Sequence, residues 1–240
     1  METIEILGIP FAKLTQAEAI EILENFFNGS ANHIIVTPNP EGVMQARRNS
    51  AFAEALLNAD LSLADGTGIV VASFLLRKKL PERVRGVDTA FALFEALCAK
   101  QRNFTAYFLG GTPGVAENAK KNMESRFQYL KVIGLHHGFF SAEEEKKIMS
   151  EINNLSPDIL LVCTGMPRAE ILATRNRNLN AKITLCLGGT IDIMAGNVKL
   201  APPLMRKLGL EWFHRLIRQP SRAKRMLDIP RFIFAVLFQK

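Results

Sequence analysis

Leu61-Ser62-Leu63-Ala64-Asp65-Gly66-Thr67-Gly68 is the stretch that decides how this chain folds. The apolar run Leu61 to Ala64 reads as a buried strand, and the apolar pattern from Ile69 to Leu76 reads as a helix. One acid and two glycines lie close behind the strand. Strand, tight turn and helix form the step from which open α/β sheets are built, and such sheets bind ligands at the carboxyl ends of their strands. Asp65 stands at that end and is a candidate general base. The competing reading is plain turn chemistry, with Asp65 a helix cap.

The step recurs in both directions along the chain. Upstream, Ile4 to Ile9 reads as a first strand, and Thr15-x-x-Glu18 is a capping box that opens a helix from Gln16 to Phe27. Ile34-Ile35-Val36 is a buried strand ending in Thr37-Pro38-Asn39-Pro40-Glu41, where Asn39 caps a helix with Pro40 at its first position. Strand and helix are expected to meet at Asn39 much as they do at Asp65. Downstream, Asp88 is expected to cap a helix from Thr89 to about Lys100. Strands then follow at Ala106 to Leu109, Leu130 to Leu135, Ile159 to Cys163 and Ile183 to Leu187, with a second capping box at Ser141-x-x-Glu144. Continuous apolar strands between helices predict a largely parallel, Rossmann-like sheet with helices on both faces. Glycine loops at Gly110-Gly111, Gly165 and Gly188-Gly189 each follow a strand and should share one sheet edge, a common seat for a nucleotide or sugar phosphate. None is a Gly-x-Gly-x-x-Gly fingerprint or a Walker loop.

Charge divides the chain. Its net charge is +7, but residues 196–240 hold ten lysines and arginines against two acids, Glu211 and Asp228, a surplus of eight. Residues 1–195 therefore carry one net negative charge. The expected organisation is an α/β catalytic domain over 1–195 and a helical basic C-terminal appendage over 196–240. Arg215, Arg218, Arg222 and Arg225 fall at helical spacing beside Trp212, Phe213, Leu216 and Ile217, a pattern suited to an anionic membrane surface. A terminal helix docked on its own domain is the bland alternative. Nucleic-acid binding ranks lower, because the basic face offers phosphate contact without base readout. The apolar run Phe232 to Phe238 is too short to span a bilayer and suits a membrane or a partner subunit, so a homo-oligomer stays open. Three scattered cysteines lack metal spacing and fit a reducing compartment, and no signal peptide is apparent at the N-terminus. A cytoplasmic protein is expected.

Taken in order, several stretches resemble the WecG/TagA/CpsF glycosyltransferases of bacterial cell-surface polymer synthesis. They are Thr37-Pro38-Asn39-Pro40-Glu41, Ala64-Asp65-Gly66-Thr67-Gly68, Leu80-Pro81-Glu82-Arg83-Val84-Arg85-Gly86-Val87-Asp88, Gly110-Gly111, Gly165-Met166-Pro167-Arg168, Gly188-Gly189 with Asp192, Ala201-Pro202, and Gly209-Leu210-Glu211-Trp212 with Arg215, Arg222 and Arg225. Within that family the chain looks most like the TagA type. The resemblance implies an inverting transfer of N-acetylmannosamine from its UDP-sugar to the 4-hydroxyl of N-acetylglucosamine on undecaprenyl diphosphate, in wall teichoic acid linkage-unit synthesis. It implies Asp65 as the base and a peripheral position on the inner face of the bacterial membrane. Thr37 and Asn39 would orient the sugar, Arg168 would bind substrate, and Arg83, the glycine loops and, if the tail folds over the site, Arg215, Arg222 and Arg225 would stabilise the departing diphosphate. No Asp-x-Asp motif occurs, so neither a metal nor another cofactor is expected. The chain departs from the family's usual residues at Ala169 (usually Gln), at Thr190-Ile191 (often Ala-Phe) and at Leu200 (often Arg). A nucleotide-dependent oxidoreductase and a non-enzymatic adaptor acting through the tail are the readings from other classes.

Overall fold

The computed structural model describes residues 1–202, 204, 205, 209–218 and 226–239, without the side chains of 214, 215 and 218. Its centre is a six-stranded parallel sheet in the order β4-β3-β8-β7-β5-β6. The strands are β3 (His33–Val36), β4 (Leu61–Ser62), β5 (Phe104–Gly110), β6 (Leu130–His136), β7 (Ile159–Cys163) and β8 (Ile183–Cys186). A separate antiparallel hairpin precedes them, β1 (Thr3–Ile6) and β2 (Ile9–Ala12). The single strand expected over Ile4 to Ile9 is thus two, because Leu7 and Gly8 both take positive φ (52° and 83°) and turn the chain back.

The parallel strands are apolar throughout because each feeds two cores. In β5, Phe108 points into one and Tyr107 and Leu109 into the other; in β7, Ile159 and Leu161 oppose Leu160 and Val162. Helices α1 (Gln16–Asn28), α5 (Gly86–Ala99), α6 (Val115–Arg126) and α9 (Thr190–Met194) cover the first core. Helices α2 (Pro40–Ala46), α3 (Ser50–Leu57), α4 (Thr67–Leu75), α7 (Ala142–Leu155) and α8 (Arg168–Arg175) cover the second. Both predicted capping boxes form, Thr15 with Glu18 and Ser141 with Glu144.

Two helices of the C-terminal segment are described, α10 (Glu211–Arg218) and α11 (Asp228–Leu237). Helix α11 packs against α2 and α4, and its Phe232 and Val236 are buried in the second core. Asp228 pairs with Arg48 and Arg231, and Gln239 Oε1 accepts a hydrogen bond from the Leu7 amide at 2.9 Å. Trp212, Phe213, Ile217, Phe234 and Phe238 are exposed. No helix among the described residues is long and apolar enough to cross a membrane.

Candidate active site

Parallel pairing brings the ends of all six strands to one edge, so the Thr37–Asn39 turn, the Asp65 turn and the three glycine loops are neighbours, as expected. Helices α6 and α8 leave adjacent strands β5 and β7 toward opposite faces of the sheet. Such divergence is where sheets of this kind usually seat a ligand, at the strand ends. Gly110 is required there: a Cβ on it would collide with the Cys163 carbonyl across the β5–β7 pair. Gly165 and Gly188 have positive φ (84° and 49°) and no atom within 4 Å of where a side chain would start. Backbone is therefore open to a ligand at both. Gly189 is nearly as open, with Asp192 Oδ2 3.9 Å from its would-be Cβ. Burial raises the Asp192 carboxyl above the usual carboxylate range.

The acidic end of the edge is held by interlocked turns. Asn39 caps α2, its Oδ1 accepting from the Gly42 amide at 2.9 Å, with Pro40 at the first helical position. Asp65 behaves differently from Asn39. Gly66 occupies the cap position of α4 without a side-chain cap, and the Asp65 carboxylate instead accepts from the Gly86 amide at 3.4 Å. Gly86 is the first residue of α5, so Asp65 faces the positive end of a 14-residue helix from a neighbouring segment. Asp88, expected as that helix's cap, lies inside its first turn and pairs with Arg85, which holds the cap position. The glycines explain the spacing of the motifs. A Cβ at Gly68 would lie 2.5 Å from Pro40 Cγ, one at Gly42 would lie 2.5 Å from Met166 Sδ, and one at Gly86 would lie 2.9 Å from Thr37 Cγ2. Each turn thus seats on the next only because a side chain is missing.

Thr37 donates to the Cys186 carbonyl at 3.3 Å, binding β3 to β8 beside Gly86. Arg83 donates through Nη1 to Thr67 Oγ1 at 3.1 Å and pairs through Nη2 with Glu211 Oε2 at 2.5 Å. Arg85 Nη1 meets the other Glu211 oxygen at 2.8 Å. Thr67 in turn donates to the Gly209 carbonyl at 3.4 Å. The C-terminal segment therefore crosses back onto the turn that holds Asp65. A cavity of about 490 Å³ is lined by Arg83 and Arg85 with Gln16, Asp88 and Phe91; Asp65 does not line it. The open glycines Gly165 and Gly188 lie at the strand ends, away from that cavity.

Arg168 is engaged elsewhere. Its guanidinium donates to the Gly138 and Phe140 carbonyls at 2.6 and 3.2 Å and stacks on the Phe140 ring at 4.1 Å. It fastens the loop after β6 over Gly111, whose carbonyl accepts from the Gly138 amide at 2.7 Å. Ala169, at the position where the sequence departs from family habit, is fully buried. Beside it Glu170 is 4% exposed, its Oε2 without a hydrogen-bond partner among the described residues, and burial pushes its carboxyl up to about 7. Arg215 lies on α10 with its side chain outside the described residues; Arg222 and Arg225 fall outside them altogether. Among the described residues, no three His, Cys, Asp or Glu side chains come together as a metal-holding group.

Sequence reasoning gave no role to Glu211, Thr67, Arg85 or Gly209. The available signal was Glu211 itself, one of two acids in a segment with ten basic residues.

Residues 4–240 match the family model described as Glycosyl transferase WecG/TagA/CpsF family. Two similar relatives come from Staphylococcus aureus strains MRSA252 and MW2, both called N-acetylglucosaminyldiphosphoundecaprenol N-acetyl-beta-D-mannosaminyltransferase. Each is 32% identical over 237 residues, covering 97% of this chain and 91% of the relative. Order of motifs, sheet-edge geometry and near-complete coverage agree: the chain belongs to the WecG/TagA/CpsF family and is a glycosyltransferase.

Proposed function

We propose that the chain transfers N-acetylmannosamine from UDP-N-acetylmannosamine to the 4-hydroxyl of N-acetylglucosamine on undecaprenyl diphosphate, with inversion, and that Asp65 is the general base. The observation that carries this reading is the place of Asp65: a carboxylate at a strand end, facing the start of α5, with Arg83 on the same pair of turns. The acceptor hydroxyl attacks the anomeric carbon from the face opposite UDP. The new glycosidic bond forms as the bond to the diphosphate oxygen breaks, and the hydroxyl proton passes to the Asp65 carboxylate. One carboxylate suffices, since no glycosyl-enzyme bond is made; retaining glycosidases need a second as nucleophile.

Charge developing on the departing diphosphate calls for donors already in place. Arg83 is one described candidate, with backbone amides at the open glycine loops of the β7 and β8 ends. Arg215, Arg222 and Arg225 would add positive charge from the C-terminal segment. Thr37 and Asn39, directly after β3, the strand beside β4, would orient the sugar. The basic segment of 196–240, with its exposed Trp212, Phe213 and Ile217, would bring the enzyme to the inner face of the membrane that carries the lipid acceptor. The names of the staphylococcal relatives support this choice of sugar and acceptor.

The test is Asp65→Asn, assayed by UDP release with UDP-N-acetylmannosamine and a short-chain diphosphate-linked acceptor, alongside UDP binding by calorimetry. Transfer should fall by about 10²–10⁴-fold with UDP affinity unchanged, the contribution of a positioned base. Full turnover in the variant would remove Asp65 from the base role.

A further inference from the structure

We infer that Glu211 is a positioning residue, one whose single carboxylate latches the C-terminal segment onto the turns that flank Asp65. The inference rests on the reading above that Arg83 serves the departing diphosphate.

Each Glu211 oxygen has its own arginine, Oε2 with Arg83 Nη2 at 2.5 Å and Oε1 with Arg85 Nη1 at 2.8 Å. The three side chains are 19%, 16% and 15% exposed, respectively. Fully exposed ion pairs contribute little, but this one is largely shielded; without the carboxylate Arg83 keeps only Thr67 and Arg85 only Asp88 among the described residues, and the bridge between the two arginines is gone. A second contact lies two residues away. Thr67 Oγ1 donates to the Gly209 carbonyl while accepting from Arg83. Position 209 calls for glycine, because φ is +71° and a Cβ there would collide with Thr67 Oγ1.

These contacts bracket Asp65. Thr67 is two residues beyond it, and Arg85 precedes Gly86, whose amide donates to its carboxylate. A segment more than 120 residues away in sequence therefore holds both neighbours of the proposed base. Arg83 has five N–H donors in a rigid plane, and fixing two of its nitrogens fixes the direction of the fork. Glu211 is also the first residue of α10, so the latch sets where that helix, with Arg215 and Arg218, begins.

The experiment uses the full chain as Glu211→Gln and, separately, Arg85→Gln, which opens the other half of the latch. Steady-state transfer is measured with UDP-N-acetylmannosamine and a lipid-diphosphate acceptor, and tail release is followed by brief trypsin treatment. Glu211→Gln should lower kcat by about tenfold or more with donor KM nearly unchanged, the mark of lost positioning. Tryptic release of the tail should accelerate in both variants, because a loosened segment opens more often. Three results would overturn the inference: unchanged cleavage in both variants, faster cleavage at unchanged kcat, or lost kcat at unchanged cleavage. Absence of transfer by the parent chain would refute the functional reading instead, and the cleavage comparison would still decide whether the latch exists.

Discussion

Gly68→Ala should cripple turnover far more than it harms the fold. Gly68 lies in the first turn of α4, where alanine would ordinarily favour the helix by about 1 kcal/mol. Against this, the added Cβ would stand 2.5 Å from Pro40 Cγ, a ring atom with little freedom to move. Carbon atoms rest at about 3.5 Å or more, so the two turns must part by roughly 1 Å. Overpacking of this kind costs about 1–3 kcal/mol, leaving a net loss of roughly 0–2 kcal/mol after the helical gain. At about 2–4 °C per kcal/mol for a chain of this size, Tm should fall by at most about 8 °C. The same 1 Å separates the Asp65 turn from Asn39, and displacement on that scale at a reacting centre costs about 10²-fold in rate. UDP release by the folded variant, with calorimetric unfolding alongside, measures both. A variant with kcat within about twofold of the parent would refute the claim that the Gly68–Pro40 seat positions the base.

The remaining predictions concern other parts of the edge. Glu170 titrates near 7 in the fold against an ordinary 4.5, so the folded state holds its proton more tightly. Stability should therefore be greatest below about pH 4.5 on this group's account and decline by about 3 kcal/mol as pH rises through 7. Glu170→Gln should flatten that slope in denaturant titrations, and an unaltered slope would show that another group sets it. Gly189→Ala has steric room and no positive φ, so Tm should hold while UDP affinity drops by about tenfold if phosphate approaches that backbone. Unchanged affinity in calorimetry would move the nucleotide away from the β8 end. Turnover should persist in EDTA, as the missing Asp-x-Asp motif predicts; activity lost to EDTA and restored by magnesium would contradict it.

Local rules made much of this fold legible. Capping boxes at Thr15 and Ser141, and Pro40 behind Asn39, depend on residues within one turn of each other, and all three form as read. Continuous apolar runs implied strands buried on both faces, which the two cores satisfy. The Leu7-Gly8 turn escaped because leucine seldom adopts positive φ, so nothing in Ile4 to Ile9 marked a reversal. Asp88 was misplaced because a cap and a first-turn acid carry the same residue type, and Arg85 decides between them. The contacts of Asp65 with Gly86 and of Glu211 with Arg83 lie 21 and 128 positions apart, beyond the reach of any periodicity. The docking of α11 is hidden likewise, since a short apolar helix looks the same whether it meets its own domain, a neighbour or lipid.

The strand order also has a temporal side. Strand β8, the last to be synthesised, lies between β3 and β7 and is bonded to both. A nascent chain ending before Ile183 carries one patch of sheet from β3 and β4, with Thr37, Asn39 and Asp65, and another from β5, β6 and β7, with Gly110 and Gly165. No ladder joins them. The edge that carries Asp65 and the glycine loops is therefore joined into one sheet only when this four-residue strand is in place.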